Sequence, residues 1–478
     1  MASLVDTLTA SRGAESAGFL NDIIAHLWPN INIAGGRMLK QVVEPMLDSM
    51  LPGPLSTLRF TKLDFGTTPI KLSNVEVHKT KLEGIKLDMD LEWDGLCDIE
   101  LEGKMVPKVG IEHVKLRGRM AVLLCPLTDI IPLIGAVQFA FINPPTLELD
   151  FTDAANIADF ALINKVVRKS ILNIITSMTV LPNRYLVKLD PSNDYFKTFQ
   201  HHHGVIRLTI EKATGITGQK KGKVKRFLDK IVKDVPDCYC QVNLGAEAEW
   251  RTSTQKDTYE PEWNETHDFL VTDYEQIITL DLNDADPGSD DDIGIATTTV
   301  KQLLVAGGTQ ELNLVHNGEP TESNLIVHAK FYNFTEDSGT LSALESQSEG
   351  EICGLATVLI AGAAGLTGQR DELKPSVKVS WGDEEFATPI KTYTPGTDIF
   401  SPSFDTAFRL PIRADKIANS PPDFQLSLLN GTEVSGSYTV PFSSVLGAPS
   451  MDLEDQFDVG SGATVRARIS LRGLQLAD

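Results

Sequence analysis

The segment Ile85–Asp94 alternates without exception, with an apolar residue at every odd position and a charged residue at every even one. Successive side chains of a β-strand point to opposite faces, so this pattern predicts a strand with one apolar and one solvated face. The same alternation returns at 114–116, 120–124, 137–141 and 147–151. We therefore expect a strongly curved antiparallel sheet.

The apolar face of this sheet has two interpretations, and periodicity does not separate them. It packs on helices as an ordinary core, or it encloses an apolar cavity that suits an acyl chain. The residues that would line such a groove are Val75, Val77, Leu87, Met89, Leu91, Val114, Leu116, Met120, Val122, Val137, Phe139 and Leu149.

Helical periodicity flanks the expected strands. An apolar stripe from Phe19 predicts a short helix that ends at Pro29, and a second stripe predicts a helix over 38–50, kinked at Pro45. A long helix is expected over 161–178. Helix, helix, curved sheet and helix together form one α+β unit.

Length, charge and cysteine content bound the protein class. A chain of 478 residues suggests about three domains. The net charge of −22 disfavours binding to nucleic acid or, for the protein as a whole, to an anionic surface. Five cysteines without a C-x-x-C spacing predict free thiols and a cytoplasmic protein. Neither a secretory signal nor a membrane-spanning segment is expected.

Several motifs in the first part of the chain carry a family resemblance. They are Leu27-Trp-Pro29, Arg59-Phe-Thr-Lys-Leu-Asp-Phe-Gly66, Ile134-Gly-Ala-Val137 and Leu181-Pro-Asn-Arg184. With these motifs, residues 17–190 resemble the synaptotagmin-like mitochondrial-lipid-binding (SMP) domain of extended synaptotagmins, tricalbins and plant synaptotagmins. That resemblance implies a tubular, TULIP-like lipid-transfer domain that is often dimeric.

One departure from this family concerns the anchor. Extended synaptotagmins carry a membrane hairpin immediately before the SMP domain, whereas only a short polar leader precedes it here. We therefore do not expect the chain itself to be stably anchored in a membrane.

Residues 204–335 contain the segment Glu260-Pro-Glu-Trp-Asn264 and an acidic stretch at 284–294. The first is similar to a turn of C2 domains and the second to their third loop, and this resemblance implies an all-β sandwich. Residues 350–475 repeat the order of segments more weakly, after a polar joint at 336–349 that we expect to be a flexible linker.

The acidic stretch of the first C2 region is a candidate Ca²⁺ site. Clustered carboxylates repel one another unless they are solvated or neutralised by a cation, and Ca²⁺ prefers such oxygen ligands. The alternative is a solvated acidic turn. The resemblance implies a calcium role, although Gln219-Lys-Lys221 stands where the family has another aspartate. The candidate ligands are Asp237, Asp284, Asp286, Asp290 and Asp291.

The second C2 region is not expected to bind calcium. Lys374 stands where the first-loop aspartate belongs, and the third loop holds a single acid. His201-His-His203 is not expected to bind a metal either, because adjacent histidines do not all face one ion.

A basic insert in the first C2 region interrupts an otherwise acidic protein. Apolar residues lie at helical spacing among its cations, which is typical of a helix that binds an anionic membrane surface. The alternative is a solvated helix that caps the sandwich. The cations are Lys220, Lys221, Lys223, Lys225, Arg226 and Lys230.

Together these features predict an α+β SMP domain followed by two C2 sandwiches. The expected function is the transfer of phospholipids between apposed membranes at contact sites, such as those of the endoplasmic reticulum. A homodimer through the SMP domain and peripheral, calcium-regulated membrane docking by the first C2 domain are also expected. A tether that does not carry lipid is the alternative. No catalytic motif is found, so we do not expect an enzyme.

Overall fold

A computed structural model of the chain describes residues 17–51, 53–80, 84–104, 106–152, 160–216, 235–247, 249–286, 288, 290–342, 351–417 and 421–477. In the described residues, no helix is both long enough and apolar enough to cross a bilayer. The α-helices are α1 (Gly18–Met50), α2 (Phe160–Thr179), α3 (Val300–Val305), α4 (Gly339–Ser342), α5 (Ala414–Ile417) and α6 (Phe442–Leu446).

The first part of the chain forms a curved antiparallel sheet. Its order is β1-β3-β4-β5-β7, with β2 paired to β3 and β6 paired to β4. The longest strands, β3 and β4, form a hairpin that runs through the whole sheet. The strands are β1 (Arg59–Asp64), β2 (Lys71–Lys79), β3 (Ile85–Gly103), β4 (Val106–Leu124), β5 (Ala136–Phe141), β6 (Thr146–Phe151) and β7 (Tyr185–Lys188).

The next part of the chain is a β-sandwich. Its two layers are β11-β8-β15-β14 and β13-β12-β9-β10, and they meet where Ile295 pairs with Val315. The strands are β8 (Gly204–Thr214), β9 (Cys238–Leu244), β10 (Trp250–Arg251), β11 (Glu262–Val271), β12 (Ile277–Asp284), β13 (Asp291–Thr299), β14 (Thr309–His316) and β15 (Glu319–Thr335).

A second sandwich follows, with layers β22-β23-β16-β19 and β18-β17-β20-β21. The end of β15 pairs with the end of β23, so that one sheet continues from the first sandwich into the second. The strands are β16 (Ile352–Ala364), β17 (Pro375–Trp381), β18 (Glu384–Ala387), β19 (Ser403–Arg413), β20 (Phe424–Asn430), β21 (Glu433–Val440), β22 (Asp452–Gly460) and β23 (Ala463–Leu476).

This architecture confirms the expected fold class, a curved sheet with helices followed by two β-sandwiches. Each sandwich has its own hydrophobic core. In the curved sheet, apolar side chains of β3 and β4 pack with Val43 and Leu47 of α1 and with Val167 and Ile174 of α2.

The prediction of two separate N-terminal helices is wrong. Helix α1 is continuous from Gly18 to Met50 and contains both Pro29 and Pro45. A proline inside a helix removes one backbone hydrogen bond and crowds the preceding turn. Burial of Trp28, Val43 and Leu47 on one side of α1 offsets this cost, which local sequence rules do not include.

The segments between the domains are more ordered than a linker pattern predicts. Phe196 and Phe199 are buried against Leu359 of β16. In the polar joint, Leu341 of α4 is buried in the core of the second sandwich, while residues 343–350 lie outside the described residues. Apolar anchors thus hold the described parts of both connections to the sandwiches.

Candidate functional site

The predicted groove residues share one face of the curved sheet. In antiparallel strands, residues directly opposite each other point to the same side. Leu87 lies opposite Val122, and Met89 lies opposite Met120. The same face continues across the sheet through the pairs Val77 with Leu87, Val122 with Phe139, Leu124 with Val137, Leu116 with Leu147, and Val114 with Leu149.

This apolar face is filled at one end and only partly covered at the other. Toward helices α1 and α2, Val114 and Leu149 are buried in a packed cluster. Val75, Met89 and Leu91 are also buried. Leu87, Leu116, Met120, Val122, Val137 and Phe139 are only half-buried, and Val77 is exposed. A completely filled core would bury all of them, so packing on this face is complete around Val114 and Leu149 and incomplete along the half-buried residues.

The opposite face of the same sheet is covered as well, which the sequence analysis missed. Ala121, Leu123, Cys125, Ala136 and Ala140 are essentially inaccessible to solvent. The segment before β8 covers part of this face. Gln138 Nε2 donates to the carbonyl oxygen of Thr198 at 2.6 Å, and Cys125 Sγ lies 3.5 Å from the carbonyl oxygen of Lys197. The sequence contains a signal for this burial. On this face, β4 and β5 carry small residues such as Ala121 and Ala140, whereas β3 carries charged residues.

The prediction that solvent covers the charged face of the sheet is therefore wrong at Lys86 and Asp88. Lys86 is half-buried, and its Nζ lies 2.5 Å from Asp273 of the first sandwich and 2.9 Å from Asp88, which is buried. Burial, and then the charge of Asp273, raise the pKa of Asp88, although Lys86 acts in the opposite direction. Two carboxylates thus share one ammonium group where the sheet meets the sandwich.

The same contact includes neutral hydrogen bonds. Asn143 Nδ2 donates to the carbonyl oxygen of Glu275 at 3.0 Å, and Asn143 Oδ1 accepts from the backbone N–H of Ile277 at 2.7 Å. The chain between β11 and β12 therefore rests directly on the curved sheet. This contact positions the acidic loop relative to the apolar face, because β12 leads into that loop.

The acidic loop lies at one end of the first sandwich, between β12 and β13. Asp284 ends β12, lies opposite Asp291 in the register, and accepts from the backbone N–H of Asp237 at 2.8 Å. Asp290 accepts from the hydroxyl of Tyr239 at 2.6 Å. Burial, followed by this hydrogen bond, raises the pKa of Tyr239 to about 12.

The five candidate calcium ligands are thus brought to one end of the sandwich but not into one ligand set. Asp237 and Asp284 adjoin, Asp290 is held by Tyr239, and Asp286 lies in the loop between them. Among the described residues, no three or more His, Cys, Asp or Glu side chains are placed together to hold a metal ion. The backbone N–H of Asp237 joins it to Asp284, while the Asp237 carboxylate accepts from the backbone N–H of Asp257 at 2.9 Å, so the carboxylates are not assembled around one point.

The other predicted polar sites have different outcomes. The basic insert, with Lys220, Lys221, Lys223, Lys225, Arg226 and Lys230, lies outside the described residues. The three adjacent histidines diverge, since the ring of His201 packs on Phe199 and that of His203 stacks on Tyr274. In the second sandwich, the backbone N–H of Lys374 donates to Asn430 Oδ1 at 2.7 Å.

Comparisons with known proteins agree with this arrangement. The family model described as the synaptotagmin-like mitochondrial-lipid-binding domain matches residues 13–190, and the C2 domain model matches residues 204–314. Extended synaptotagmin-2 of Mus musculus is 26% identical over 485 residues, which cover 97% of this chain and 55% of that protein. Extended synaptotagmin-1 of Homo sapiens is 25% identical over 462 residues, which cover 94% of this chain and 40% of that protein.

A solved structure is similar over nearly the whole chain. The SMP, C2A and C2B domains of Extended-Synaptotagmin 2 match with a TM-score of 0.67 and 26% identity, covering 97% of this chain and 100% of that one. The chain spans about half the length of the full-length relatives that it matches.

Proposed function

Because the chain is homologous to the extended synaptotagmins over most of its length, with an SMP domain followed by C2 domains, we propose that it binds phospholipids and carries them between apposed membranes at contact sites. The curved sheet would hold the acyl chains, and the sandwiches would dock the protein peripherally on a membrane. The observation that carries this proposal is the apolar face of β3, β4 and β5, which remains half-covered along Leu87, Met120, Val122 and Phe139.

The proposed transfer is passive. An acyl chain that leaves water for an apolar groove contributes about 0.8 kcal/mol for each methylene that becomes buried. The half-buried residues are aliphatic or aromatic, so the groove has no charge that an acyl chain would have to desolvate. Headgroups would stay at the open, solvated edge, and the direction of transfer would follow the lipid gradient between the membranes.

A cross-strand pair provides the test. Leu87 and Val122 face each other and are half-buried, so the double variant Leu87→Trp, Val122→Trp adds bulk to the open end of the face rather than to the packed one. We expect fluorescent-lipid transfer between liposomes to fall to the spontaneous background, and native mass spectrometry to lose co-purifying lipid. The matched control is Leu96→Trp, because Leu96 is 72% exposed.

The outcomes distinguish transfer from tethering. A folded double variant that transfers lipid normally would show that this face holds no lipid. If liposome clustering persists while transfer is lost, tethering by the sandwiches is separate from lipid carriage. A wild-type protein that clusters liposomes but neither carries nor transfers lipid would be a tether only.

Calcium binding belongs to the proposal through the acidic loop of the first C2 domain. Asp237 and Asp284 would form the first part of the site, and Asp286, Asp290 and Asp291 would have to approach them. Bound Ca²⁺ would neutralise this acidic end, so that an anionic bilayer is no longer repelled. The basic insert at 220–230 would add a second, calcium-independent attraction to such a surface.

Charge reversal tests the membrane role of that insert. Replacement of Lys221, Lys225 and Arg226 by glutamate should weaken binding to anionic liposomes in the absence of calcium, and added salt should weaken the wild type likewise. Equal binding of the variant and the wild type at low salt would contradict the proposed contact.

Pairing of two copies through the SMP domain is supported by helix α1. Phe19, Ile23 and Leu27 follow one another at four-residue spacing and are 66%, 51% and 47% exposed, which forms an apolar stripe on one side of α1. The double variant Phe19→Glu, Ile23→Glu should convert a dimer into a monomer in light scattering. An unchanged mass would exclude this stripe from the dimer contact.

A further inference from the structure

The connection between β4 and β5 carries a compact group of exposed aliphatic side chains. Ile131 is 88% exposed and Ile130 is 65% exposed, and the exposed fractions of Leu133 and Leu127 are 55% and 43%. Apolar residues exposed singly are common on protein surfaces, but these four lie within one short stretch, 127–133. The only charged residue of this stretch is Asp129. The stretch, called the apolar loop below, therefore presents an almost uncharged tip to solvent.

Hydrogen bonds within the apolar loop hold its tip in one conformation. The backbone N–H of Thr128 donates to the carbonyl oxygen of Leu133 at 2.9 Å, and that of Leu133 donates to the carbonyl oxygen of Ile130 at 2.6 Å. The hydroxyl of Thr128 donates to the same oxygen of Ile130 at 3.0 Å. Leu133 has a φ of 72°, a conformation that residues other than glycine rarely adopt. The aliphatic side chains are thus displayed by a preorganised turn, so that binding through them orders little additional backbone.

The base of the apolar loop is braced by the segment that follows β7. The backbone N–H of Gly135 donates to the carbonyl oxygen of Pro126 at 2.9 Å. The carbonyl oxygen of Gly135 accepts from the backbone N–H groups of Leu189 and Asp190 at 3.0 and 3.1 Å. A β-carbon at position 135 would lie 2.6 Å from Asn193 Oδ1, so this close approach favours glycine. The tip is therefore mounted on a well-connected part of the SMP domain.

The apolar loop adjoins the half-buried part of the apolar face of the sheet. Leu124 and Val137, at the two ends of this connection, pair with each other, and Val137 also pairs with Val187 of β7. Val187 is 40% exposed. Leu189, whose backbone N–H contacts Gly135, is 42% exposed. Exposed apolar surface thus extends from the half-buried face, along the end of β7, to the base of the apolar loop.

We propose that the apolar loop inserts into a lipid bilayer and docks the SMP domain itself on a membrane. Insertion removes four aliphatic side chains from water, which the hydrophobic effect favours, while Asp129 stays among the headgroups. A tip with one carboxylate and no cation matches a zwitterionic rather than an anionic surface. A protein partner fits less well, because a stable protein interface buries roughly 20–30 residues on each side and this tip offers four apolar side chains.

This contact differs in its physical basis from those proposed for the first C2 domain. The basic insert and the acidic loop would both act through charge on an anionic surface, and the acidic loop would also require calcium. The apolar loop acts by burial of apolar surface, so screening by salt does not weaken its contact and calcium is not required. The proposal does not depend on lipid carriage, although docking at this place would bring the half-buried face close to the membrane.

Flotation of the full chain with vesicles of phosphatidylcholine tests the proposal. High salt and a calcium chelator remove both charge-dependent contacts. We expect the wild type to float with the vesicles. The double variant Ile130→Asp, Ile131→Asp should bind more weakly by at least about 10-fold for each position, because each aspartate replaces an aliphatic side chain that would be buried. Both side chains are exposed in the free protein, so the variant should fold, and thermal unfolding checks this.

A matched control comes from an isoleucine outside the apolar loop. Ile390, which lies between β18 and β19, is 57% exposed. The variant Ile390→Asp introduces the same chemical change at a similar exposure. It should float with the vesicles as the wild type does.

A fluorophore gives a direct readout of insertion. The native cysteines are buried, so a thiol-reactive, environment-sensitive dye should label Ile131→Cys selectively, with Ile390→Cys as the control. On addition of the same vesicles, emission from position 131 should shift to the blue and be quenched by lipids that are brominated in their acyl chains. Emission from position 390 should not change.

The outcomes separate this proposal from its rivals. It is overturned if the dye at position 131 remains in water when vesicles are present, or if Ile130→Asp, Ile131→Asp floats as the wild type does. A blue shift that appears without vesicles and grows with protein concentration would assign the apolar loop to a contact between two copies of the chain, which also overturns it. Normal insertion by Leu87→Trp, Val122→Trp without lipid transfer would support docking by the apolar loop independently of lipid carriage.

Discussion

Replacing Asp273 by asparagine and replacing Asp88 by asparagine should have different effects on the stability of the protein, although both carboxylates contact Lys86. Burial works to raise the pKa of Asp273, but the charge and hydrogen bond of Lys86 outweigh it and lower that pKa. The ionised form of Asp273 therefore contributes stability that is present above the ordinary carboxyl pKa and is lost as the pH falls through the lowered value. For Asp88 the net shift is upward, so its ionisation opposes folding as the pH rises.

The expected magnitudes follow from this geometry. Breaking a buried ion pair costs about 3–5 kcal/mol, but Lys86 retains Asp88 as a partner, so for Asp273→Asn we expect about 2–3 kcal/mol. For a domain of this size, that loss lowers the unfolding temperature by about 4–12 °C. Asp88→Asn should instead leave stability unchanged or raise it, because it removes a repelled carboxylate while Lys86 keeps Asp273.

Differential scanning calorimetry of the two variants, measured between pH 5 and pH 8, is the assay. The advantage of Asp88→Asn over the wild type should grow as the pH rises through the raised pKa of Asp88. Each variant is the control for the other, since both remove one carboxylate next to the same lysine. The reasoning is refuted if Asp88→Asn is as destabilising as Asp273→Asn, or if Asp273→Asn has no effect.

Three further predictions concern the acidic loop, the contact between the sandwiches and the buried cysteines. The double variant Asp284→Asn, Asp286→Asn should lose calcium-dependent binding to anionic liposomes. Without calcium it should unfold at a higher temperature than the wild type, because like charges are removed. Calorimetry that detects no calcium binding to the wild type at millimolar calcium would contradict this prediction. Asp268→Ala should destabilise the pair of sandwiches by about 2–3 kcal/mol in urea unfolding, because it leaves the backbone N–H of Ile352 without its partner and Arg207 with Glu351 as its remaining carboxylate. A loss below about 1 kcal/mol would show that water replaces the carboxylate. Alkylation of the native protein at pH 8 should be slow at all five buried cysteines, and alkylation in urea should be fast. Burial raises the pKa of Cys238 to about 12, for example, so little reactive thiolate is present in the folded protein. Rapid labelling of the native protein in mass spectrometry would exclude this burial.

Local sequence pattern was sufficient for much of the fold. The alternation of 85–94 predicted the strand that is now the start of β3, and the register places its apolar residues on the same face as those of β4 and β5. The helix expected over 161–178 is α2, Phe160–Thr179. These features depend on side-chain direction along a single element, which the period of the sequence determines.

The acidic loop shows the limit of such reasoning at a site. The family resemblance assigned Asp237 and Asp284 to one acidic site, and in the structure the backbone N–H of Asp237 donates to Asp284 because the two residues adjoin paired strands. It did not anticipate that Asp290 is held by Tyr239, since that hydrogen bond depends on the conformation of the loop.

What covers each face was decided only by tertiary structure. The alternation of the sequence predicted that the side chains of Lys86 and Asp88 point away from the apolar side of the sheet. It did not predict that the first sandwich lies against them. Helix α1 continues through Pro29 because its apolar side packs on the sheet. Arg409 of β19 donates to the carbonyl oxygen of Pro182 across more than 200 residues of chain, a contact that no local pattern predicts. A linear pattern determines the direction of a side chain, whereas the identity of its neighbour depends on packing between parts of the chain that are far apart in sequence.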